Sequence, residues 1–307
     1  MFFVIIELHF YFLSSYVIYL SQAELDVTSE WFLLNEESIV TADIIHSDGL
    51  RVLSFSSTSC LQILSRAETI FADGTFKITP WPWYQLFIIH ASVGPSSSVP
   101  IMFSLLPDKT RRSYDDMFQG LKKALMKREL ELSASYFMSD FENNIRLSFS
   151  SEFPEVQPKG CLFHFAKAIW SKVKKAGLQT YYSVKSSEPK FGSFIRTILG
   201  LPFLQIEDLG RGLKNIENMG TSLTNIKCKD FAKDMIRYIK SFWLYGSLDP
   251  KLWNMFMYTG SRTNNQCEGY NFKLNSKKHL SKHPNVYLLV VTLKDELVAA
   301  HDNAMGN

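Results

Sequence analysis

The stretch Ala67–Pro80, AETIFADGTFKITP, decides the fold because it joins a strand pattern to a single acidic residue. Ile70 and Phe76 have the β-branched and aromatic character of a half-buried strand. Gly74 interrupts the run and predicts a bulge or a close approach to the backbone. Asp73 then has two interpretations: an Asp-Gly turn between two hairpin strands, or a metal-binding carboxylate that needs other carboxylates near it.

The pattern around this stretch predicts a mixed α/β core. Three apolar runs separated by Pro-rich and Gly-rich turns predict an antiparallel meander. A helix is expected after Ser113, which we expect to be its N-cap. A short strand is then expected to end at Asp140. A second helix is expected to stop before Pro154. Three strands, a helix and a fourth strand, with one aspartate on the first strand and another at the end of the fourth, are the arrangement of the ribonuclease H-like fold. The three apolar runs are ETIFADGTFKI, YQLFIIHASV and VPIMFSLLP.

Length and cysteine content indicate a globular protein of a reducing compartment. The chain has 307 residues, enough for one large domain or for a domain that carries an insertion. Its cysteines are far apart and form no Cys-x-x-Cys pair, so neither a disulfide framework nor a closed cysteine zinc site is indicated. They are Cys60, Cys161, Cys228 and Cys267.

Charge is distributed unevenly along the chain. The overall net charge is +3, but residues 1–50 hold eight acidic residues and no Lys or Arg. The remainder holds 33 basic and 22 acidic residues, a balance of +11, and residues 165–260 hold 15 basic and 7 acidic residues, a balance of +8. Such a segment suits a polyanion such as DNA or RNA, because phosphate neutralisation releases condensed counterions. A solvated basic face without a nucleic-acid role is the alternative.

The first twenty residues, MFFVIIELHFYFLSSYVIYL, are apolar but fit neither a secretory signal nor a membrane span. Glu7 lies inside the run, and no Lys or Arg flanks it. We therefore expect no secretion and no membrane anchor; a strand, a misassigned start or a remnant of a longer protein all fit the segment. Residues 21–66 form a polar, acidic lead-in to which the pattern assigns no definite elements.

An ordered set of motifs from about Glu68 onward resembles the transposase domain of Mutator-like elements. The set runs through about three quarters of the chain, and its order carries the resemblance more than any single motif does. The motifs are FADGTFKITPWPWYQLFIIHA, IMFSLLPDKT, SDFENNIRLSF, GCLFHFAKAIW and RTNNQCEGYNFKLN.

The resemblance implies a DDE-type transposase in which two aspartates and a glutamate hold two divalent ions, Mg²⁺ or Mn²⁺. By position in the matching motifs these residues are Asp73, Asp140 and Glu268. Hard carboxylate oxygens suit such ions, and an ion pair can stabilise both the attacking and the leaving oxygen of a phosphodiester displacement. DNA is then the partner, a homo-oligomer on DNA is expected, the nucleus is the compartment, and no small-molecule cofactor or membrane is involved.

Other carboxylates compete for these roles. Glu142 lies two residues after Asp140, but at a strand-to-helix junction we expect its side chain to turn toward the surface. Asp108 follows a proline at a strand end, where a turn-forming aspartate is common. For Glu268 itself the alternative is a helix-surface acid in the first turn, where the helix dipole favours it.

Four further residues are candidates for substrate contact. His164 and Cys161 form half of a zinc-site spacing without a second half nearby, so closed zinc coordination is not expected; a packed cysteine with a hydrogen-bonded histidine is the alternative. Lys77, Arg262 and Lys273 flank the proposed ligands and are candidates for phosphate contact.

The resemblance implies a ribonuclease H-like core, a mixed sheet with flanking helices, interrupted by an all-helical insertion. Asp140 and Glu268 are separated by 127 residues, too many for the last turns of such a core. The intervening segment has helical periodicity and is basic and aromatic. The expected divisions are the lead-in 1–66, the first part of the core 67–164, the helical insertion 165–260 and the C-terminal part of the core 261–307.

Three functions fit these features. The first is a transposase catalytic domain that cleaves DNA and transfers strands. The second is a domesticated or decayed, non-catalytic nuclear DNA-binding protein on the same fold. This alternative arises because members of the family usually have a separate DNA-binding module, often a zinc-binding one, and nothing before Glu68 has the Cys and His spacing for it. The third is a metal-dependent nuclease unrelated to transposition, which would not need the insertion.

Overall fold

The computed structural model describes residues 25–94, 97–183 and 185–306. The chain forms two compact units. The first consists of the chain up to Gln157 together with the chain from Asn264 onward, and the second is Pro158–Thr263. The expected features of residues 1–20 lie outside the described residues. Within the described ranges, no helix is long and apolar enough to cross a membrane.

The chain has a mixed sheet of seven strands in the order β3-β4-β7-β6-β5-β8-β9, of which β3 to β8 belong to the first unit, and β1 and β2 form a separate hairpin. The last strand, β9, begins at Gln157, where the first unit ends. The strands are β1 Leu33–Leu34, β2 Glu37–Ser38, β3 Val40–Ile45, β4 Arg51–Phe55, β5 Thr69–Thr75, β6 Gln85–Ser92, β7 Ser98–Leu106, β8 Tyr136–Ser139 and β9 Gln157–Gly160.

The predicted meander is confirmed. β5 pairs with β6 and β6 with β7, both antiparallel. β8 runs parallel to β5 on its other side, with Thr69 opposite Tyr136 and Phe71 opposite Met138. A parallel neighbour cannot be reached by a tight turn, so the chain crosses over through a helix.

Ten α-helices lie in the described part of the chain. They are α1 Thr58–Ser65, α2 Arg111–Met126, α3 Asn143–Glu152, α4 Leu162–Lys175, α5 Pro189–Gly200, α6 Leu209–Thr221, α7 Ile226–Tyr238, α8 Pro250–Trp253, α9 Asn265–Asn275 and α10 Val286–Met305. Helices α4 to α8 belong to the second unit, and the others belong to the first.

Helices cover both faces of the sheet. On one face, Phe137 of β8 stacks on Phe149 of α3 with ring centroids 3.8 Å apart. On the other face, Tyr270 of α9 meets the ring of His90 at 5.1 Å. Phe137 pairs with Ile70 of β5, whereas His90 pairs with the next residue, Phe71. Because successive side chains of a strand point to opposite faces, Phe137 and His90 lie on opposite faces of the sheet.

The structure excludes one alternative for the Asp-Gly pair and corrects one helix boundary. Asp73 and Gly74 lie inside β5 and pair with β6, so they do not form a hairpin turn. Helix α2 begins at Arg111 rather than after Ser113, and its N-cap is Thr110, whose side chain accepts a hydrogen bond from the Ser113 amide. The Thr110 hydroxyl, three residues upstream of the expected cap, thus satisfies one of the free N–H groups of the first turn.

The lead-in supplies two strands that the sequence pattern left unassigned. β3 and β4 are antiparallel, and β4 pairs with β7, so the sheet extends by two strands beyond the meander. Arg51 anchors this edge: its guanidinium is 2% exposed and forms a bidentate ion pair with Asp43. A fixed fork of two donors matches a carboxylate in this way.

The second unit has its own core. Beyond β9, the regular structure in residues 161–183 and 185–263 is helical. The rings of Phe165, Trp243 and Trp253 pack together, with Phe165 4.6 Å from Trp243 and 5.6 Å from Trp253. The Trp253 indole donates to the carbonyl of Trp243 at 3.0 Å. These rings are buried, so the aromatic residues of this segment are in large part its own core.

Candidate acidic site

Asp73 and Asp140 occupy equivalent positions on neighbouring parallel strands. The last paired residues of β5 and β8 are Phe71 and Met138, and each aspartate lies two residues further along. Adjacent strands are about 4.8 Å apart, and residues two apart on a strand share a face. Asp73 therefore lies within β5 and Asp140 directly after β8, at the same level of two adjacent strands.

Helix α9 brings polar side chains to the same strand. The Asn271 Nδ2 donates to Asp73 Oδ2 at 2.9 Å, and Asn275 Nδ2 donates to Thr75 Oγ1 at 2.9 Å. Glu268 lies one turn before Asn271, and residues three apart share a helix face. The face of α9 that carries Glu268 is therefore the face turned toward β5.

The negative charges of two other carboxylates, Asp140 and Glu268, act on Asp73. The pKa of Asp73 is raised to about 6, chiefly by burial and in smaller part by the negative charges of Asp140 and Glu268, against hydrogen bonds from the Gly74 amide and Asn271 that lower it. Like charges near one another in a partly desolvated site favour the protonated form. A bound cation would relieve this repulsion, because it neutralises the charge that burial and neighbouring acids penalise.

The donor set at Asp73 suits a hard divalent ion. Asn271 Oδ1 is buried and has no hydrogen-bond partner among the described residues, so a carbonyl oxygen without a donor lies beside a carboxylate. Carboxylate and amide oxygens are the ligands that Mg²⁺ and Mn²⁺ take from proteins. In the described part of the chain, however, no three His, Cys, Asp or Glu side chains are arranged to hold a metal ion. The carboxylates are gathered in one region of the structure, and their role as ligands stays a prediction.

Glu142 forms an ion pair with Lys109. Its carboxylate accepts from Lys109 Nζ at 2.6 Å, while its backbone amide donates to Asp140 Oδ1 at 3.1 Å. The partial burial of Lys109 would lower its pKa, but the hydrogen bond to Glu142 and the charges of Glu142 and Asp140 hold that pKa above its usual value. Glu142 thus pairs with a lysine, and its amide orients Asp140.

Asp108 has the structural role expected of it. Its Oδ1 accepts from the Thr110 amide, the Thr110 hydroxyl and the Ser113 hydroxyl, at 2.7 to 2.9 Å. Partial burial alone would raise the pKa of Asp108, but these hydrogen bonds lower it below its usual value. The carboxylate organises the turn that leads into α2.

Of the proposed phosphate-contacting lysines, Lys77 lies two residues beyond β5, and its Nζ donates to the Asn275 carbonyl at 3.0 Å. Lys273 lies in the last turn of α9 and is exposed. Both belong to the first unit. Lys77 thus follows the strand that carries Asp73.

His164 and Arg262 belong to the second unit. His164 is in the first turn of α4, with its ring 5.8 Å from Phe163, and Cys161 is buried directly before the helix. The Arg262 guanidinium lies over Phe203 at 5.3 Å, and the Arg262 carbonyl accepts from the first amide of α4. The backbones of the two candidate motifs are thus in contact.

Two residues of the site were missed by sequence reasoning. Asn271 was not singled out, although it follows Glu268 at one helical turn, and that spacing would have indicated a shared face. Lys109 was also not singled out, because its contact with Glu142 joins residues 33 positions apart. No local pattern signals such a contact.

Residues 69–168 match the family model of the MULE transposase domain. The match includes Asp73 and Asp140, and Glu268 lies beyond it. A search of curated proteins finds no match to this chain. The resemblance to the transposase domain of Mutator-like elements is thus confirmed for the segment that carries the two aspartates.

Proposed function

Because residues 69–168 match the family model of the MULE transposase domain, we propose that the chain is a transposase catalytic core that cleaves DNA and joins its ends. The observation that carries the proposal is the position of Asp73 on β5 and of Asp140 directly after the neighbouring parallel strand β8, with the charges of Asp140 and of the helix-borne Glu268 acting on Asp73. Buried acidic clusters with a raised pKa are typical of functional sites.

The topology supports a ribonuclease H-like core. An antiparallel meander is followed by a helix and by a strand parallel to the first, and the aspartates lie on the first strand and directly after the fourth. The second compact unit, Pro158–Thr263, lies in sequence between Asp140 and Glu268 and covers nearly the same residues as the proposed helical insertion. Its basic balance would suit a DNA backbone.

The residues that would hold divalent ions are Asp73, Asp140 and Glu268. Two bound ions would supply a nucleophile at neutral pH and stabilise charge on the attacking and leaving oxygens. In the proposal each side chain has its own role. The Asp73 carboxylate accepts a hydrogen bond from the Gly74 amide and would also bind an ion. The side-chain amide of Asn271 orients Asp73 by donating to it. The Glu142 amide does the same for Asp140.

The proposed reaction has two displacements at phosphorus. In the first, a water oxygen bonds to phosphorus and the bond from phosphorus to the 3′ oxygen breaks, which leaves a 3′-hydroxyl and a 5′-phosphate. In the second, that 3′ oxygen bonds to a phosphorus of target DNA and displaces the 3′ oxygen of the target strand. One proton leaves each attacking oxygen and one joins each leaving oxygen. The first step consumes water and the second exchanges one phosphodiester bond for another, so no energy-rich co-substrate is required. A protein that acts on chromosomal DNA in this way would work in the nucleus.

Nicking of supercoiled plasmid in Mg²⁺ or Mn²⁺ tests the proposal. We expect wild type to convert plasmid to the open-circular form only with the ion, and Asp73→Asn, Asp140→Asn and Glu268→Gln each to abolish conversion. Asp295→Asn is the matched control, because Asp295 is an exposed acid of α10. It makes the same carboxylate-to-amide change outside the cluster and is expected to keep full activity.

Metal binding and DNA binding are measured separately from cleavage. Thermal unfolding with and without Mn²⁺ is expected to show ion-dependent stabilisation of wild type and of Asp295→Asn but not of Asp73→Asn, since a ligand that binds only the folded state raises its stability. Filter binding over a salt series is expected to be the same for all of these proteins. If wild type binds DNA but cuts it with neither ion, and Mn²⁺ does not raise its melting temperature, the catalytic proposal is wrong and a non-catalytic DNA-binding protein remains.

A further inference from the structure

The loop between β5 and β6 presents three aromatic rings to solvent. This aromatic loop, residues 76–84, exposes 44% of Phe76, 62% of Trp81 and 54% of Tyr84. The rings of Phe76 and Tyr84 meet edge to face, 5.5 Å between centroids. Scattered exposed aromatics need no explanation, but a group of them on one segment marks an interaction surface.

Buried side chains hold the aromatic loop in place. Ile78 and Trp83 are buried, and the Trp83 indole donates to the Arg51 carbonyl at 2.9 Å. Thr79 is also buried and donates to the Thr75 carbonyl at 3.1 Å. Buried residues thus anchor the loop between its exposed rings. A surface fixed before binding loses little conformational entropy when a ligand stacks on it.

Lysines flank the exposed rings. Lys109 Nζ lies 5.7 Å from the centroid of Phe76. Lys77 is next to Phe76 in the chain, and among the residues that the structure describes no carboxylate forms an ion pair with it. The Trp81 ring lies 5.1 Å from His283, whose backbone amide donates to the Lys77 carbonyl. Rings interleaved with cations complement a ligand that has both flat faces and negative charge.

A chain of short contacts joins the aromatic loop to the acidic cluster. Phe76 follows Asp73 by three residues. Contacts also lead from Phe76 to Asp140. Lys109 lies against Phe76 and donates to Glu142 at 2.6 Å. The Glu142 backbone amide in turn donates to Asp140 at 3.1 Å. A nucleotide strand with its phosphate at the carboxylates would have its neighbouring bases within reach of these rings.

We propose that the aromatic loop binds unpaired DNA bases next to the phosphate that is cleaved, by stacking them on Trp81 and Tyr84 while Lys77 and Lys109 contact the backbone. The inference rests on the proposed function for its location and on the geometry of the loop for its chemistry. Base stacking on aromatic side chains tolerates any sequence, because every base has a flat π face. Paired bases are stacked inside the duplex and cannot use such a surface, so the loop selects DNA that is locally opened.

The test compares binding to two DNA probes in EDTA, where neither metal nor cleavage is required. One is a fully paired duplex, and the other is the same duplex with three mismatched base pairs and 2-aminopurine within them. We expect wild type to bind the mismatched probe more tightly and to quench its fluorescence by stacking. The double variant Trp81→Ala/Tyr84→Ala is expected to lose about 10-fold in affinity for the mismatched probe alone, as is typical when a stacking ring is removed.

Two matched controls separate stacking from altered structure. The double variant Trp81→Phe/Tyr84→Phe keeps flat rings and is expected to retain quenching and preference for the mismatched probe. Met126→Ala removes an apolar side chain that is 68% exposed at the end of α2 and is expected to bind both probes as wild type does. Circular dichroism melting of each variant checks that the fold is kept.

Several results would overturn the inference. Equal affinity of wild type for the two probes would do so, as would unchanged quenching in the alanine variant. A change in sedimentation coefficient with unchanged fluorescence would assign the loop to self-association instead. The binding assay contains no metal, so its result is independent of cleavage. If wild type prefers the mismatched probe but does not nick plasmid, only the catalytic proposal is refuted. If wild type nicks plasmid but shows no preference for the mismatched probe, only the stacking role is refuted.

Discussion

Replacing Asp73 by asparagine is expected to stabilise the metal-free protein at neutral pH. The folded state holds this carboxyl in a partly desolvated position near two other acids, and its pKa is raised from 3.8 to about 6. Asparagine keeps the shape and removes the charge. Its Oδ1 can still accept from the Gly74 amide, and Asn271 can rotate its amide so that the oxygen, which now lacks a donor among the described residues, faces the new Nδ2.

The magnitude follows from the pKa difference between the two states. A raise of about two pKa units corresponds to about 3 kcal/mol of unfolding free energy, because each unit is worth about 1.4 kcal/mol. At pH 3 the carboxyl is protonated in both states and contributes no penalty. Between pH 4 and 6 the unfolded chain binds fewer protons than the folded one, so the contribution of Asp73 to stability falls as the pH rises. Above pH 6 the penalty remains at its full value.

Urea unfolding in EDTA from pH 3.5 to 8 measures this effect. We expect the difference in unfolding free energy between Asp73→Asn and wild type to grow by about 3 kcal/mol from the acid end to pH 7 and then to stay level. Asp295→Asn, an exposed acid, is the control and is expected to show no such pH-dependent difference. If the difference for Asp73→Asn is constant over the range, or decreases as the pH rises, then Asp73 is not destabilised as an anion and the electrostatic description of the site is wrong.

Three further outcomes are expected. In the nicking assay, Asp73→Asn combined with Glu268→Gln is expected to be little worse than either single variant, because one site loses its function whichever ligand is removed; multiplying effects would contradict a shared site. His90, which burial holds at a pKa of about 3, must exclude a proton that the unfolded chain takes up, so the unfolding free energy of wild type relative to that of His90→Leu is expected to fall by about 2 kcal/mol between pH 6.5 and 5 by urea unfolding. Gly74→Ala places a methyl group 2.8 Å from Gln85 Oε1 and is expected to lower the unfolding free energy by about 1 to 3 kcal/mol; an unchanged urea midpoint would show that Gln85 moves aside freely.

Local pattern was sufficient for most elements of the sheet and for their order. The alternation and composition around β5, β6 and β7 predicted the meander, and helical spacing predicted α2 and α3, because the period of apolar residues records which face of an element is buried. The resemblance then selected Asp73 and Asp140, and the family match covers both. The lead-in strands β3 and β4 were not predicted, because their apolar residues find a sheet to pack on only when the distant β7 is in place.

The sequence by itself determined which residue types are available to the site, and its order placed one aspartate within a strand and another directly after a second strand. Only the tertiary structure decided what surrounds them: Asn271 is 198 residues from Asp73, and Glu142 meets Lys109 across 33 residues. The raised pKa of Asp73 has the same origin, because burial and the fields of Asp140 and Glu268 act through space. Periodicity reports the face on which a residue lies, whereas contacts between distant segments depend on strand register and helix packing, which no short stretch of sequence encodes.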